Sequence, residues 1–561
     1  MDFSLLLVVA VITPLSCLLL LILVGKKKPA APPQRRGGGK LLPPSPPGLP
    51  VLGHLHLLGS LPHRALRSLA RAHGPVLLLR FGRVPTVLVS SAAGAEELMR
   101  TRDLAFASRP RNAVAERLLY GRDVAFAPYG EYWRQARRVC VVHLLSPRRV
   151  QSFRHVREQE AAEMVGRVRA KATGNGAAGG GTVDLSELLT EYSYAVVSRA
   201  AFGDECARAL LDGADRGRHL RRVLTEFQTL LGTEPVGELL PWLGWVDVVR
   251  GLEGRIRRTF EALDGLVEKV IDDHRQRQRR RPHQNGDDDD GSGGSHHHRD
   301  LVDVLLDAHN MDEEYGGVQF ETNEIKAIIL QLAETVKSAQ YLMDSCTNGQ
   351  HRSIDQDMFT AGTDTVTTVM EWAMAELITH PHALRRLRSE IRSTSSSGGG
   401  GSSKVPCYLP AVVKETLRLH APVPLLVPRE AAADAEILGY HVPARARVVV
   451  NAWAIGRDPA TWGDDAEEFV PERFLGRCSD VDFRGQHFEL VPFGAGRRAC
   501  PGVGFAVASI ETALASLLCH FDWEAPPGGK KQGAALDMSE MNGINVHIKA
   551  RLTLAARPWI P

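Results

Sequence analysis

The chain has 561 residues, 44% hydrophobic and 24% charged, with 68 basic against 65 acidic side chains and a formal net charge of +3. That is an ordinary globular composition with room for a large core, and neither the charge balance nor any basic helix or aromatic stacking platform points to nucleic acid. The eight cysteines, at 17, 140, 206, 346, 407, 478, 500 and 519, form no Cys-x-x-Cys pair. Neither a zinc site nor a disulfide framework is indicated, and reducing cytosol is the natural compartment.

In chain order, Leu5 to Val24 is an uncharged apolar run of 20 residues followed by Lys26, Lys27 and Lys28. The run is long enough to span a bilayer as a helix, and Pro14 is tolerated in such a span. The lysines predict a cytoplasmic C-terminal side, and the lack of a small-residue cleavage site favours an uncleaved anchor over a secretory signal. Residues 1–28 are therefore read as a membrane anchor with a basic stop. Residues 29–50, ending in Pro43-Pro44-Ser45-Pro46-Pro47-Gly48-Leu49-Pro50, form a Pro/Gly-rich hinge whose fixed φ angles hold the body away from the membrane.

The body, residues 51–561, is mainly α with small β-sheets. Apolar residues at three- and four-residue spacing predict helices over Ala65 to Ala72, Val150 to Ala170, Ile256 to Asp273 and Glu371 to Ile391. Strands are expected at Val76 to Phe81, Thr86 to Ser90 and Arg447 to Val450, and Phe488 to Val491 is strand-like. Gly174 to Gly181, Arg275 to Gly294 and Ser393 to Ser403 read as solvated low-complexity loops, and His296-His297-His298 sits in such a tract rather than in a metal site.

The most informative segment is Phe493-Gly494-Ala495-Gly496-Arg497-Arg498-Ala499-Cys500-Pro501-Gly502. Glycines let backbone approach a flat cofactor, while the arginines and the amides entering a following helix favour an anionic sulfur. A thiolate there is a metal ligand, and haem iron fits it best. Two other readings stand beside it: a dinucleotide fingerprint at Gly494-x-Gly496-x-x-Ala499, and a buried structural cysteine in a glycine turn. The fingerprint lacks its acidic partner and a surrounding βαβ pattern.

Read as Phe-x-x-Gly-x-Arg-x-Cys-x-Gly, this segment resembles the cysteine-ligand loop of the cytochromes P-450, the haem-thiolate monooxygenases. The resemblance runs from the N-terminal anchor to Leu552-Thr553-Leu554 and implies the cytochrome P-450 fold, haem b held by Cys500, and NADPH used through a separate reductase. Phe493, Arg498 and Gly502 match fixed positions of the loop. Trp133 and Arg137 resemble the Trp-x-x-x-Arg of the family's C helix, where spacing on one face would bring both to the haem propionates. Arg429, in Pro428-Arg429-Glu430, is a further propionate candidate.

Glu415 and Arg418, spaced i, i+3 on a helical stretch, would on their own be an ordinary surface pair. In the family such a pair is joined by a downstream arginine, for which Arg473 in Pro471-Glu472-Arg473-Phe474 stands, giving a structural triad behind the cysteine loop. Ala361-Gly362-Thr363-Asp364-Thr365 matches the oxygen-activation stretch of the I helix, where Ala361 and Gly362 leave room and Asp364 and Thr365 deliver protons; in isolation it could be a helix cap. Arg109-Pro110, Phe126 to Gly130 and Glu371 to Leu377 resemble the large plant microsomal group that oxidises specialised metabolites, especially its grass subfamilies. The implied substrates are indoles, phenolics or terpenoids. Their walls are expected between Arg109 and Ala127, before Ala361, and at Leu425 to Val427.

The implied partner is NADPH-cytochrome P-450 reductase, docking near Arg134, Arg137 and Arg138, with the chain single-pass in the endoplasmic reticulum membrane and its body facing the cytosol. One departure stands out. Residues 331–356 interrupt the I helix with the poorly helical Cys-Thr-Asn-Gly-Gln-His-Arg-Ser at 346–353. As helix they would add about 39 Å and a phase error of about 80°, so they must loop out or break the helix. Retained intron sequence is the simplest origin. A haem-thiolate isomerase or dehydratase that uses no O2, or an inactive haem protein, are the alternative functions.

Overall fold

The computed structural model describes residues 41–173, 181–211, 229–280, 300–310, 321–332, 364–396, 407–526, 536–543 and 545–560, with 223, 226 and 227. The proposed anchor at 1–28, His296 to His298, Ala361 and Gly362 lie outside them, as do all but residues 331 and 332 of the insertion.

Eleven longer helices organise the described residues: α1 (Pro62–His73), α2 (Glu131–Arg138), α3 (Arg154–Thr173), α4 (Leu185–Leu211), α5 (Leu252–Arg280), α6 (Leu301–Asn310), α7 (Thr322–Leu332), α8 (Thr365–Thr379), α9 (Pro381–Ser396), α10 (Tyr408–Leu419) and α11 (Val503–His520). The strands are short: β1 (Val76–Phe81), β2 (Val84–Val89), β3 (Gly181–Asp184), β4 (Arg429–Glu430), β5 (Ala435–Ile437), β6 (Tyr440–Val442), β7 (Arg447–Val450), β8 (Phe521–Glu524), β9 (Glu540–Met541), β10 (His547–Ile548) and β11 (Thr553–Pro558). They form a four-stranded sheet in the order β1-β2-β7-β4, a three-stranded sheet β3-β11-β8, and the pairs β5-β6 and β9-β10.

Two features position the site. Helix α8 is buried from Val366 to Leu377 and packs on α4, α10 and α11, so the core surrounds it rather than lying on one side. The four-stranded sheet places Arg429 opposite Val448 in an antiparallel pair, which aims that arginine at the cysteine loop.

Several expected elements change. The helix expected over Val150 to Ala170 is two, because Phe153 leaves helical geometry between Pro147–Ser152 and α3. That over Glu371 to Ile391 breaks at His380 (φ −120°, ψ 75°), since a residue before proline is driven out of the α region. Helices α5 and α9 run on into Arg280 and Ser396, so the basic stretch and first serines of two supposed loops are helical. Phe488 to Val491 is turn and coil, which removes the strand a dinucleotide fingerprint needs. Among the described residues one helix, α11, is apolar and long enough to cross a membrane, yet it buries Ile510, Ala513, Leu514, Leu517 and Leu518 in the core.

Candidate active site

The cysteine loop is built by backbone constraint. Gly494 and Gly496 hold φ of +65° and +67°, and a Cβ on Gly496 would stand 2.0 Å from Met99 O, so the turn admits no other residue there. Cys500 N donates to Phe493 O at 2.9 Å, closing the turn, and α11 starts three residues later at Val503. Burial pushes the Cys500 thiol up, against the Gly502 amide and Arg137, which favour the thiolate. A metal ion reverses that balance, because a coordinating thiol is deprotonated outright.

Cys500 opens onto a cavity that Phe493, Trp133, Arg137, Arg429 and Arg498 also line, as does Arg109. Four guanidinium groups therefore face one space. Arg498 donates to Ala107 O at 2.6 Å and Ala127 O at 2.8 Å, with its guanidinium 3.9 Å from the Trp133 ring centroid. Arg109 donates to Ala125 O, Val427 O and Pro428 O at 2.6–2.8 Å. Arg429 donates through Nη2 to Ala495 O at 2.9 Å, whereas its buried Nη1 has no hydrogen-bond partner.

Among the described residues none of these four arginines makes an ion pair with a carboxylate. Burial, then the charge of Arg429, lowers Arg498 to about 9, and burial lowers Arg429 to about 10. Burial and the Arg498 and Arg429 charges likewise depress Arg109. Asp123, itself pushed up to about 6 by burial, is the acid that partly offsets Arg109 and Arg498. Buried cations crowded without counter-ions are costly, and a dianionic ligand relieves the cost. The orphaned Nη1 of Arg429, the glycine turn and the cysteine together fit a haem, whose carboxylates the arginines would hold and whose iron Cys500 would ligate.

The indole N–H of Trp133 donates to Val124 O at 2.8 Å, and its ring lies against the Arg498 guanidinium. Arg137 lines the cavity and is half-buried, whereas Arg134 is exposed and paired with Glu131 at 2.7 Å.

Behind the loop, Glu415, Arg418 and Arg473 come together, with relative exposures of 0%, 1% and 3%. Arg418 binds both Glu415 oxygens, at 2.7 and 2.8 Å, and Arg473 Nε donates to Oε1 at 3.0 Å. Val470 N donates to Oε1 at 2.8 Å, and Arg418 Nη1 reaches Gly456 O and Ala466 O. The bidentate geometry makes this a rigid mount.

Asp364 and Thr365 stand elsewhere. Asp364 precedes α8 and is 8% exposed, but neither it nor Thr365 is among the residues lining the cavity of Cys500. The Asp364 carboxylate meets Asn545 and His547 from the end of the chain. Sequence reasoning missed those two and missed Arg109 as a member of the arginine cluster. Arg109 carried a signal, since it stood in a recognised Arg-Pro pair; Asn545 and His547 carried none.

Fold and cavity together define a haem-thiolate oxidoreductase. A profile described as Cytochrome P450 matches residues 43–334 and 344–542. The chain is 44% identical to Cytochrome P450 71A1 of Persea americana, with 90% of this chain and 91% of that one covered, and 43% identical to Cytochrome P450 71A6 of Nepeta racemosa, with 92% and 94% covered. Norfluorocurarine oxidase of a Strychnos species is 40% identical, with 90% of each covered. In fold it is similar to a zebra fish cytochrome P450 solved with progesterone, at TM-score 0.66 and 22% identity, covering 89% of this chain and 99% of that one. This chain belongs to the cytochrome P450 family, among plant relatives, and is a monooxygenase by family, with thiolate-ligated haem and electrons from a reductase.

Proposed function

We propose that this chain is a membrane-anchored monooxygenase of plant specialised metabolism. It places one oxygen atom of O2 into a small apolar indole, phenolic or terpenoid, with electrons from NADPH-cytochrome P-450 reductase at the endoplasmic reticulum membrane. The observation that carries the reading is the cluster of buried arginines around the cavity of Cys500, one with an orphaned donor.

In this reading Cys500 is the iron ligand, Arg137, Arg429 and Arg498 hold the propionates with Trp133 backing Arg498, and Phe493 and Gly502 shape the ligand turn. Glu415, Arg418 and Arg473 keep that turn in place. When bound, the haem supplies oxygen activation and C–H oxidation. Asp364 and Thr365, with room left by Ala361 and Gly362, move protons on the opposite side. Val124, Ala125, Leu426 and Val427 line the cavity and give the substrate apolar walls.

Residues 1–28 act as the anchor, 29–50 as the hinge and 51–561 as the catalytic body, interrupted at 331–356. A second apolar feature supports membrane contact: Trp242 and Trp245 are each 57% exposed and Val248 and Val249 about three-quarters exposed, within one short stretch. Arg134 belongs to the reductase-facing side, and its charge reversal lowers reductase-supported turnover; unchanged turnover sinks that assignment.

A carbon monoxide difference spectrum of the reduced protein, followed by NADPH-dependent oxygen uptake with candidate substrates, tests the whole reading. A thiolate-type Soret band with substrate-stimulated uptake is expected. No band ends it, and a band without uptake points to oxygen-independent haem chemistry. Sequencing the mature transcript decides whether 331–356 reach the protein.

A further inference from the structure

The hairpin of β9 and β10 reaches back onto α8 and meets Asp364 with two side chains. Asn545 Nδ2 donates to Asp364 Oδ2, and His547 Nε2 lies 3.2 Å from Asp364 Oδ1. The other imidazole nitrogen is 3.0 Å from Thr368 Oγ1 and 3.9 Å from a Glu371 oxygen. Residues 364, 368 and 371 share one helical face, so a single histidine spans two turns. The strand itself is pinned, because Trp372 Nε1 donates to Val546 O and Val546 N to Pro422 O, both at 3.0 Å.

We propose that Asn545 and His547 are positioning residues for Asp364, clamping its carboxylate between an amide donor and an imidazolium so that its rotamer and negative charge are fixed. The proposal rests on reading Asp364 and Thr365 as the acid and alcohol of oxygen activation. Two carboxylates, Asp364 and Glu371, face this imidazole from α8. Burial works against its charge, but Asp364 and then Glu371 outweigh burial and raise it to about 10. An imidazolium held so firmly is a counter-ion rather than a proton carrier, since an efficient carrier titrates near the working pH. Protons therefore reach the oxygen-activation side through Asp364 only when its carboxylate leaves the clamp.

The test uses the haem-loaded, full-length protein and the variants His547→Ala, His547→Lys, Asn545→Ala and Asp364→Asn, each first shown to keep the thiolate-type carbon monoxide band. In the ferrous carbon monoxide form, histidine-selective 15N spectra should show His547 doubly protonated up to about pH 9, and Asp364→Asn should move its titration toward the ordinary value of about 6.5. In turnover, His547→Ala should cut product formed per NADPH about tenfold with KM unchanged and add a pH dependence near neutrality. Asn545→Ala should lower it less, and His547→Lys, which restores a cation, should recover part of the loss. A wild-type His547 that titrates as an ordinary histidine overturns the clamp, and so does full coupling in His547→Ala. Wild-type protein with the band but no substrate-stimulated oxygen uptake removes the monooxygenase reading and this role with it, while the 15N spectra still report whether the pair exists.

Discussion

The two sides of the site are built differently. The cysteine loop is made from contiguous chain: ten residues in which Gly494 and Gly496 sit at positive φ, backed by a carboxylate shared between two buried arginines. The proposed acid side is assembled from distant segments, with Asp364 held by groups about 180 residues later and the preceding helix α7 ending at Leu332, just inside the inserted stretch. A locally specified half survives disturbance elsewhere in the chain, whereas a half made of remote contacts depends on the whole fold closing correctly.

The largest break in this comparison is Cys500→Ser. It should abolish the thiolate-type band and all turnover while leaving a folded protein, as judged by circular dichroism, because serine keeps the backbone turn at 500 and its oxygen can accept from the Gly502 amide in place of sulfur. Next comes Glu415→Ala, which strands two buried guanidinium groups and should cost about 3–5 kcal/mol in denaturant unfolding, with haem content falling in parallel. If the cysteine side were less locally determined than argued, Gly496→Ala would be harmless; the positive φ and the clash with Met99 O instead predict a loss of at least about 1–3 kcal/mol.

Arg429→Met sharpens the comparison by its sign. Removing a buried cation with an orphaned donor should leave haem-free protein as stable or more stable by about 1 kcal/mol, yet weaken haem retention, measured by transfer to apomyoglobin. A further effect, of similar size, concerns the far end of the hairpin that holds Asp364. Burial opposes it, but His63 and Arg64 hold Glu540 at about 2, below its ordinary 4.5. A depressed carboxylate adds stability that is complete above pH 4.5 and is lost as pH falls through about 2. Glu540→Gln should flatten that part of the acid-unfolding curve by about 1–2 kcal/mol.

How far the sequence could be read follows the same division. The cysteine loop was legible because its glycine and arginine positions are adjacent, and Glu415 with Arg418 because helical spacing puts them on one face. Arg473 needed the family pattern, since nothing local says that a residue 58 positions downstream of Glu415 will share its carboxylate. The helix break before Pro381 was readable from the proline and was missed because apolar spacing continued across it. Trp133 lines the cavity and its indole donates to Val124 O, a backbone group that no residue pattern reports. Asn545 and His547 sit in a two-residue-paired hairpin too short for periodicity to mark.

The last strand, β11, lies between β3 and β8, and Leu185 N bonds to Leu552 O just before it. Synthesis therefore delivers the closing strand of this sheet, and the hairpin before it, after every helix they touch. Until that segment leaves the ribosome, the nascent enzyme has its cysteine loop but not the groups that hold its acid. A haem captured early would therefore meet Cys500 before Asn545 and His547 had closed on Asp364.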